Sequence, residues 1–330
     1  EVAMRSPVRP KGAPVTEVAI VGIGIHPFGR TDGVSGRDQG AVAARAALAD
    51  AGIGWDQVQC AFGGSDAAGN ADAIVNDLGL TGIEFVNVVN GCATGGSALT
   101  MADRAIRSGA HDVSLAIGFD KHPPGAFNAS PAQYELNDWY GHIGLMVTTQ
   151  FFGVKIQRYL HDHDIDPEVL ALVAAKAFRN GALNPNAWRR TPLSPEAIAA
   201  SPMVSYPLTK YMFCSPAEGG VALVLARADI AHRFTDRPVY VRSTAMRSRR
   251  YGTFEVFSPS LAPERTDGPT VQAAAAAFQA AGLGPEDVDL AQIQDTESGA
   301  EVMHMAETGL CKHGEQVDLI RSGATEVGGS

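Results

Sequence analysis

Short apolar runs alternate with helical stripes through the first third of the chain. Val18-Ala19-Ile20-Val21-Gly22-Ile23-Gly24 is a continuous apolar run of the buried-strand type. Beyond a loop carrying Gly and Pro, Ala41, Ala44, Leu48 and Ala51 recur at helical spacing over 37–51, and Gly52 suits the C-terminal cap. Apolar runs at 58–62, 85–89 and 113–118 predict three further strands, with helices over 70–78 and 92–108 between them. Strands that alternate with helices imply parallel pairing, with helices covering the sheet.

The rhythm breaks over 120–215, which holds most of the aromatic residues and several prolines. Helices are predicted there at 141–161 and 167–180, in an inserted region facing substrate. Gly219 to Ala226 returns to a buried strand and completes a first α/β half. A second half opens at Val239–Ala245 and continues with a helix over 269–281 and a strand near 288–293. The organisation expected is an arm over 1–16, a first half over 17–119 with 216–235, the inserted region 120–215, and a second half over 236–330.

The halves echo each other. Ala51-Gly52-Ile53-Gly54, ahead of Val58, lines up with Ala281-Gly282-Leu283-Gly284, ahead of Val288. So long a period suggests an internally duplicated fold rather than a solenoid. The second half stops about where its own strand-to-helix turn should begin, so residues of a native C-terminus are expected beyond Ser330. Glu1-Val2-Ala3 ahead of Met4 reads as an addition.

Composition narrows the class. Of 330 residues, 45% are hydrophobic and 19% charged, as in a globular protein long enough for one large core or two packed halves. A formal net charge of −10 argues against nucleic acid or an anionic membrane as partner. No apolar run reaches the ~18 residues of a membrane span, and no signal peptide is visible. Cys60, Cys92, Cys214 and Cys311 are scattered without a C-x-x-C pair, which argues against zinc or a disulfide framework and for a reducing cytoplasm.

One stretch carries candidate chemistry. The run Phe85 to Val89 meets Asn90-Gly91, and a small-residue helix starts at Cys92. A sharp strand-to-helix turn places Cys92 on the helix N-terminus, where backbone N–H groups favour a thiolate and could receive a thioester oxygen. Gly91, Gly95 and Gly96 leave room for a ligand. The plain alternative is a small buried cysteine on an Ala/Gly-rich helix. Arg247, Arg249 and Arg250 are either a solvated loop or a clamp for an anionic group such as a CoA phosphate.

Asn90-Gly91-Cys92-Ala93-Thr94-Gly95-Gly96-Ser97-Ala98-Leu99, with Gly22-Ile23-Gly24 upstream, resembles the thiolase superfamily, closest to the sterol-carrier-protein type. Phe213-Cys214-Ser215-Pro216-Ala217-Glu218-Gly219-Gly220 and Glu307-Thr308-Gly309-Leu310-Cys311 support the resemblance, which covers nearly the whole chain. It implies a duplicated five-layer α/β/α/β/α fold, here with the inserted loop region. It also implies a homodimer and an acyl-CoA substrate whose coenzyme A is part of the substrate, so that no separate cofactor is expected. Cys92 falls on the family's acylated nucleophile.

The departures shape the functional expectation. Where thiolases of this type carry His-Asp-x-Phe, this chain has Gln294-Asp295-Thr296-Glu297, so the family's His-dependent oxyanion hole is altered. Altered acid/base groups on a thiolase fold are similar to the lipid-transfer-protein-like aldolases of bacterial steroid side-chain breakdown. The resemblance implies retro-aldol cleavage of a bulky β-hydroxyacyl-CoA to a ketone and a shorter acyl-CoA such as propionyl-CoA. It also implies a small partner bearing an OB-fold and a zinc-ribbon-like segment. Tyr251, flanked by Arg249 and Arg250, is either a base whose phenolate is favoured by positive charge or an exposed loop aromatic. Asp295 is an acid/base or a helix cap. Gly91, Gln294, Glu297, His142, Arg249 and Arg250 are the expected substrate-binding residues, although His142 has a structural reading too, and Cys214 and Cys311 are read as packing residues. Two rivals stand beside the lyase: a true thiolase, and a non-catalytic lipid or acyl-CoA carrier.

Overall fold

The computed structural model describes residues 16–123, 130–143, 148–251 and 267–329. It divides into two compact units, one formed by Glu1–Pro123 with Ala217–Thr244 and the other by Pro124–Pro216 with Ala245–Ser330.

The first unit is built on a six-stranded sheet. Its elements are β1 (Val18–Gly29), α1 (Gly36–Asp50), β2 (Cys60–Gly64), α2 (Val75–Leu78), β3 (Glu84–Asn87), α3 (Thr94–Arg107) and β4 (Val113–Lys121). Two later strands join them, β7 (Glu218–Arg227) and β8 (Val239–Val241). The strand order is β3-β2-β4-β7-β1-β8. Pairing is parallel for β2 with β3 and β4, as the alternation predicts, but β7 runs antiparallel to both β4 and β1. The strand expected to open a second half, β8, instead pairs antiparallel with β1, Val18 lying opposite Val241 and Ile20 opposite Val239. The side of β1 not taken by β7 offers its backbone groups there, and β8 satisfies them.

Small residues let α1 press on the sheet. A Cβ on Gly22 or Gly24 would run into the carbonyls of Ala47 and Ala43, so both glycines are needed for the close approach of α1 to β1. Ala41, Ala44, Ala47 and Leu48 of α1 pack on Val21, Leu115, Ile117 and Val224. Ser35 caps α1 through a reciprocal box with Asp38, its hydroxyl accepting from the Asp38 N–H at 3.1 Å. On the other face, Ala98, Ala102 and Ile106 of α3 meet Val18, Cys60, Phe62, Ala116 and Leu225. Burial there pushes the Cys60 thiol up to about 12, so it stays protonated.

The second unit is mainly helical: α4 (Trp139–His142), α5 (Thr148–Asp162), α6 (Glu168–Leu183), α7 (Pro195–Ala199), α8 (Pro269–Ala281), α9 (Ser298–Glu307) and α10 (Gln316–Ser322). A two-stranded ladder, β5 (Met203–Ser205) with β6 (Leu208–Thr209), completes it. Its core joins Ile156 and Leu160 of α5 to Val169, Leu170 and Val173 of α6 and to Val302, Met303 and Met305 of α9. The helix expected over 141–161 is seen as α4 and α5, and residues 144–147 between them lie outside the described residues. The strand expected near 288–293 runs without ladder partners among the described residues, and Leu290 is 87% exposed. An extended segment becomes a strand only when a neighbour takes its N–H and C=O groups. The second sheet of a duplicated arrangement is therefore not formed among these residues. No described helix is long and apolar enough to cross a membrane.

Candidate functional site

In the first unit, β3 leads into a tight turn and a single 3-10 turn, Gly91–Ala93, which runs on into α3. Gly91 has φ +50°, the left-handed region that glycine tolerates. The turn is tied by side chains. The Thr94 hydroxyl donates to the Gly91 carbonyl at 2.7 Å and accepts from the Asn90 N–H at 2.9 Å, while the Asn90 amide donates to Ser97 Oγ at 2.8 Å. A side chain on Gly64 would collide with Thr94 and the Val88 carbonyl, so β2 fits closely behind the turn. Cys92 is exposed, and nothing stands within 4 Å of where a Cβ on Gly91, Gly95 or Gly96 would lie. The structure thus gives Cys92 an accessible sulfur at the start of a 14-residue helix.

In the second unit, Asp295 helps line a cavity of about 190 Å³. Val173, Ala174 and Phe178 of α6, with Tyr211, Met212 and Phe213, make its apolar wall; Arg189, Cys214, Ser215 and Ser298 add polar groups. Phe213 and Glu297 form an antiparallel bridge, and the Cys214 N–H donates to the Thr296 carbonyl at 2.9 Å. These contacts tie segment 294–297 to the chain leading into β7. Cys214 is therefore exposed on the cavity wall rather than a packing residue, whereas Cys311 packs partly buried against the core of the unit. Asp295 keeps solvent contact, yet the protein around it desolvates its carboxyl and raises it above the ordinary range, a shift that its own backbone hydrogen bond and Lys176 oppose. Gln294, exposed, donates its amide to Thr296 Oγ1.

Glu297, not Asp295, is the helix cap. Its Oε2 accepts from the Ala300 N–H at 3.0 Å, and the residue is 0% exposed. Burial pushes its carboxyl up to about 7, against the pull of Lys155 and the Ala300 and Gly299 N–H groups. The remaining expected residues sit elsewhere. His142 ends α4, exposed, and Arg249, Arg250 and Tyr251 lie on an irregular exposed segment, Tyr251 at 86%. Residues 252–266 beyond it are outside the described residues.

Sequence reading missed Lys155 and Lys176. Lys155 shares the apolar side of α5 with Phe152, Ile156 and Tyr159, and Lys176 interrupts the apolar run of α6; a cation on such a face was the available signal. A further cluster, Asp66, Asp120 and His122, brings possible metal-ligand atoms within 4.8 Å of one another. Asp120 already accepts backbone N–H groups of Asp66, Ala67, Ala68 and Lys121, so it works as a loop staple.

Comparison with known proteins places this geometry. Residues 18–190 match the family model described as thiolase, N-terminal domain, and residues 258–330 match that described as thiolase C-terminal domain-like. The chain belongs to the thiolase family. An acetyl-CoA acetyltransferase of Methanothermobacter thermautotrophicus is 30% identical over 327 residues, covering 95% of this chain and 82% of that protein. Sterol carrier protein 2 of Gallus gallus is also 30% identical over 94% of this chain, which spans 60% of its length. A solved structure described as an Ltp2-ChsH2(DUF35) aldolase superposes with a TM-score of 0.82 at 24% identity, covering 95% of this chain and 82% of that one. The thiolase-like α/β fold expected from the sequence is thereby borne out, and at that identity the structural likeness speaks for fold alone.

Proposed function

We propose that this thiolase-family chain is an acyl-CoA carbon–carbon lyase that cleaves a bulky β-hydroxyacyl-CoA by a retro-aldol reaction. The observation that carries the reading is the state of segment 294–297. It offers no histidine, places a carboxyl with a raised pKa on an apolar cavity, and turns Glu297 inward as a helix cap. An ionised Glu297 facing a developing enolate would repel it; enclosed and capping, it does not.

In this reaction a base takes the β-hydroxyl proton, the Cα–Cβ bond breaks, and a ketone forms as the electron pair moves to the thioester enolate. A proton then reaches Cα, giving the shorter acyl-CoA. Atoms balance without free CoA. Asp295 is the assigned base, and Tyr251 the alternative. Gln294, His142, Arg249 and Arg250 are assigned to binding, the two arginines to the CoA phosphates.

The aldolase described for the solved relative supports this choice by fold, and its two-protein description supports a partner protein, for which the family resemblance implies an OB-fold and a zinc-ribbon-like segment. Edge strand β3, with Val86 exposed within it and Val89 just beyond it 83% exposed, supports pairing with a second copy as a homodimer. Four cysteines without a disulfide suit a reducing cytoplasm. A second reading, thiolase, is favoured by the accessible Cys92.

The test is mass analysis of products from a ring-bearing β-hydroxyacyl-CoA. The lyase reading expects a ketone and a short acyl-CoA without added CoA. Products that appear only when CoA is supplied mean thiolase, and no turnover of any CoA thioester leaves the carrier.

A further inference from the structure

Retro-aldol cleavage needs a base at the β-hydroxyl and, close by, a donor for the charge that develops on the thioester oxygen. The cavity of the second unit carries a residue suited to each task. Asp295 and Arg189 both line it and both keep contact with solvent. Arg189 lies in the loop between α6 and α7, which is pressed on α6 so closely that a Cβ on Gly181 would strike the Arg189 carbonyl. Its side chain is held by two other residues of the wall. Nε and Nη2 both donate to Ser215 Oγ, at 3.1 and 2.5 Å, and the guanidinium carbon stands 5.9 Å from the ring centre of Tyr211. Trp188 approaches the same carbon at 5.3 Å. An arginine stacked and bonded in this way is oriented before a ligand arrives.

No carboxylate neutralises it. Among the described residues Arg189 has no ion pair, and its Nη1 has no acceptor. Ser298, also on the wall, is 4% exposed, and its hydroxyl has no hydrogen-bond partner among the described residues. A buried hydroxyl without a partner is destabilising, and an oxygen atom brought by a ligand relieves it. The wall also sets which way round a substrate lies. Val173, Ala174 and Met212 are apolar and buried, whereas Arg189, Cys214 and Asp295 are exposed. About 190 Å³ takes one ring and a few further atoms but not coenzyme A, which must stay in solvent. The thioester that joins coenzyme A to the acyl group therefore rests at the exposed side, beside Arg189, and the apolar β-substituent points inward.

We propose that Arg189 is a catalytic residue of this cavity: its unengaged guanidinium N–H groups take the thioester oxygen and hold the negative charge that forms there. The proposal deepens the lyase reading and rests on it for the reaction. Asp295 takes the β-hydroxyl proton, the Cα–Cβ electron pair moves into the thioester as an enolate, and the β-carbon leaves as a ketone. Arg189 donates hydrogen bonds to the enolate oxygen and keeps its own protons. The proton on Asp295 then passes to Cα, and the charge on that oxygen is gone.

Two measurements on the full chain test this. In cleavage of a ring-bearing β-hydroxyacyl-CoA, Arg189→Met should lower kcat by roughly a hundredfold, the scale of a lost oxyanion donor, with KM changed no more than a few-fold. Arg189→Lys, which keeps the charge but not the fork, should fall between that variant and wild type. A raised KM at unchanged kcat would make Arg189 a binding residue only and overturn the proposal, and so would no change in either. The second measurement needs no turnover. Benzoate, one ring bearing an anionic pair of oxygens, is titrated by ligand-observed NMR, with benzyl alcohol as its uncharged counterpart. Benzoate should bind wild type saturably and be lost in Arg189→Met, while benzyl alcohol should bind both proteins alike. Benzoate that binds both proteins equally, or neither, overturns the proposal; loss of both ligands in Arg189→Met means a changed cavity shape and overturns it too. If the chain cleaves no β-hydroxyacyl-CoA, the lyase reading fails, and the benzoate titration still decides whether Arg189 holds an anionic oxygen at the cavity.

Discussion

Two carboxylates of this protein are almost equally enclosed and sit at opposite ends of the acid scale. Glu218, at the start of β7, is 5% exposed; Glu297, ahead of α9, is 0% exposed. Burial pushes Glu218 upward too, but it accepts from the Thr31 N–H at 2.8 Å and the Thr31 hydroxyl at 2.7 Å, and Lys121 and Arg30 stand at 3.2 Å. Those donors win and hold it at about 2. Glu297 has only the Ala300 and Gly299 N–H groups and Lys155 to oppose its burial, its Oε1 has no hydrogen-bond partner among the described residues, and burial wins at about 7. Enclosure alone does not decide ionisation; the number of donors aimed at the carboxylate does. A carboxylate saturated with donors is a pin. One left short of donors can hold or release a proton near neutrality.

The largest stability effect should come from breaking the pin. Glu218→Ala leaves Lys121 and Arg30 facing a gap and should cost on the order of 3 kcal/mol in urea unfolding. Loss of less than about 1 kcal/mol would show that the donors contribute little. The wild-type pin carries a pH signature as well. Its folded-state pKa is depressed, so its stabilisation is present above about pH 4.5 and drains away as pH falls toward 2. Thermal unfolding followed across that window should show the decline, and Glu218→Gln should flatten it.

Glu297 should behave in the opposite sense, with a smaller effect. Its folded-state pKa is raised, so folding weakens as pH climbs from about 4.5 to about 7 while the unfolded chain ionises and the folded chain does not. Glu297→Gln should then be more stable than wild type at pH 8, by roughly 2 kcal/mol, and nearly equal to it at pH 4. Equal stability at both values would place the two glutamates in one class. The smallest effect is expected at Cys92. Its side chain is exposed, so Cys92→Ala should change stability by no more than about 0.5 kcal/mol. Under thiol alkylation, Cys92 should react readily and Cys60, buried with a thiol pushed up to about 12, should not.

The parts of this molecule most legible in the sequence are those set by local pattern. The apolar run from Val18 marked a buried strand, and Asn90-Gly91-Cys92 marked a strand-to-helix turn; the structure contains both. The departure at 294–297 located the unusual carboxyls, but not which of them caps. Asp295 and Glu297 are two residues apart, and only the path of the chain into α9 makes Glu297 the N-cap. Long-range pairing was not legible. Nothing local tells Val239–Val241 to join β1, or tells Phe213 and Cys214 to bridge to Thr296 and Glu297. Lys155 and Lys176 looked like ordinary helix charges, because their partners lie more than a hundred residues away in sequence.

The proposed lyase uses the carboxyl at the cavity as its base rather than the thiol at the elbow as a nucleophile. Cleavage of a ring-bearing β-hydroxyacyl-CoA by Asp295→Asn and Cys92→Ala, assayed side by side without free CoA, tests it most directly. Asp295→Asn should lower kcat by roughly a hundredfold or more, the usual scale of a lost acid/base group, while Cys92→Ala stays within a few-fold of wild type. The reverse pattern, with Cys92→Ala losing a thousandfold or more and Asp295→Asn active, would contradict the account.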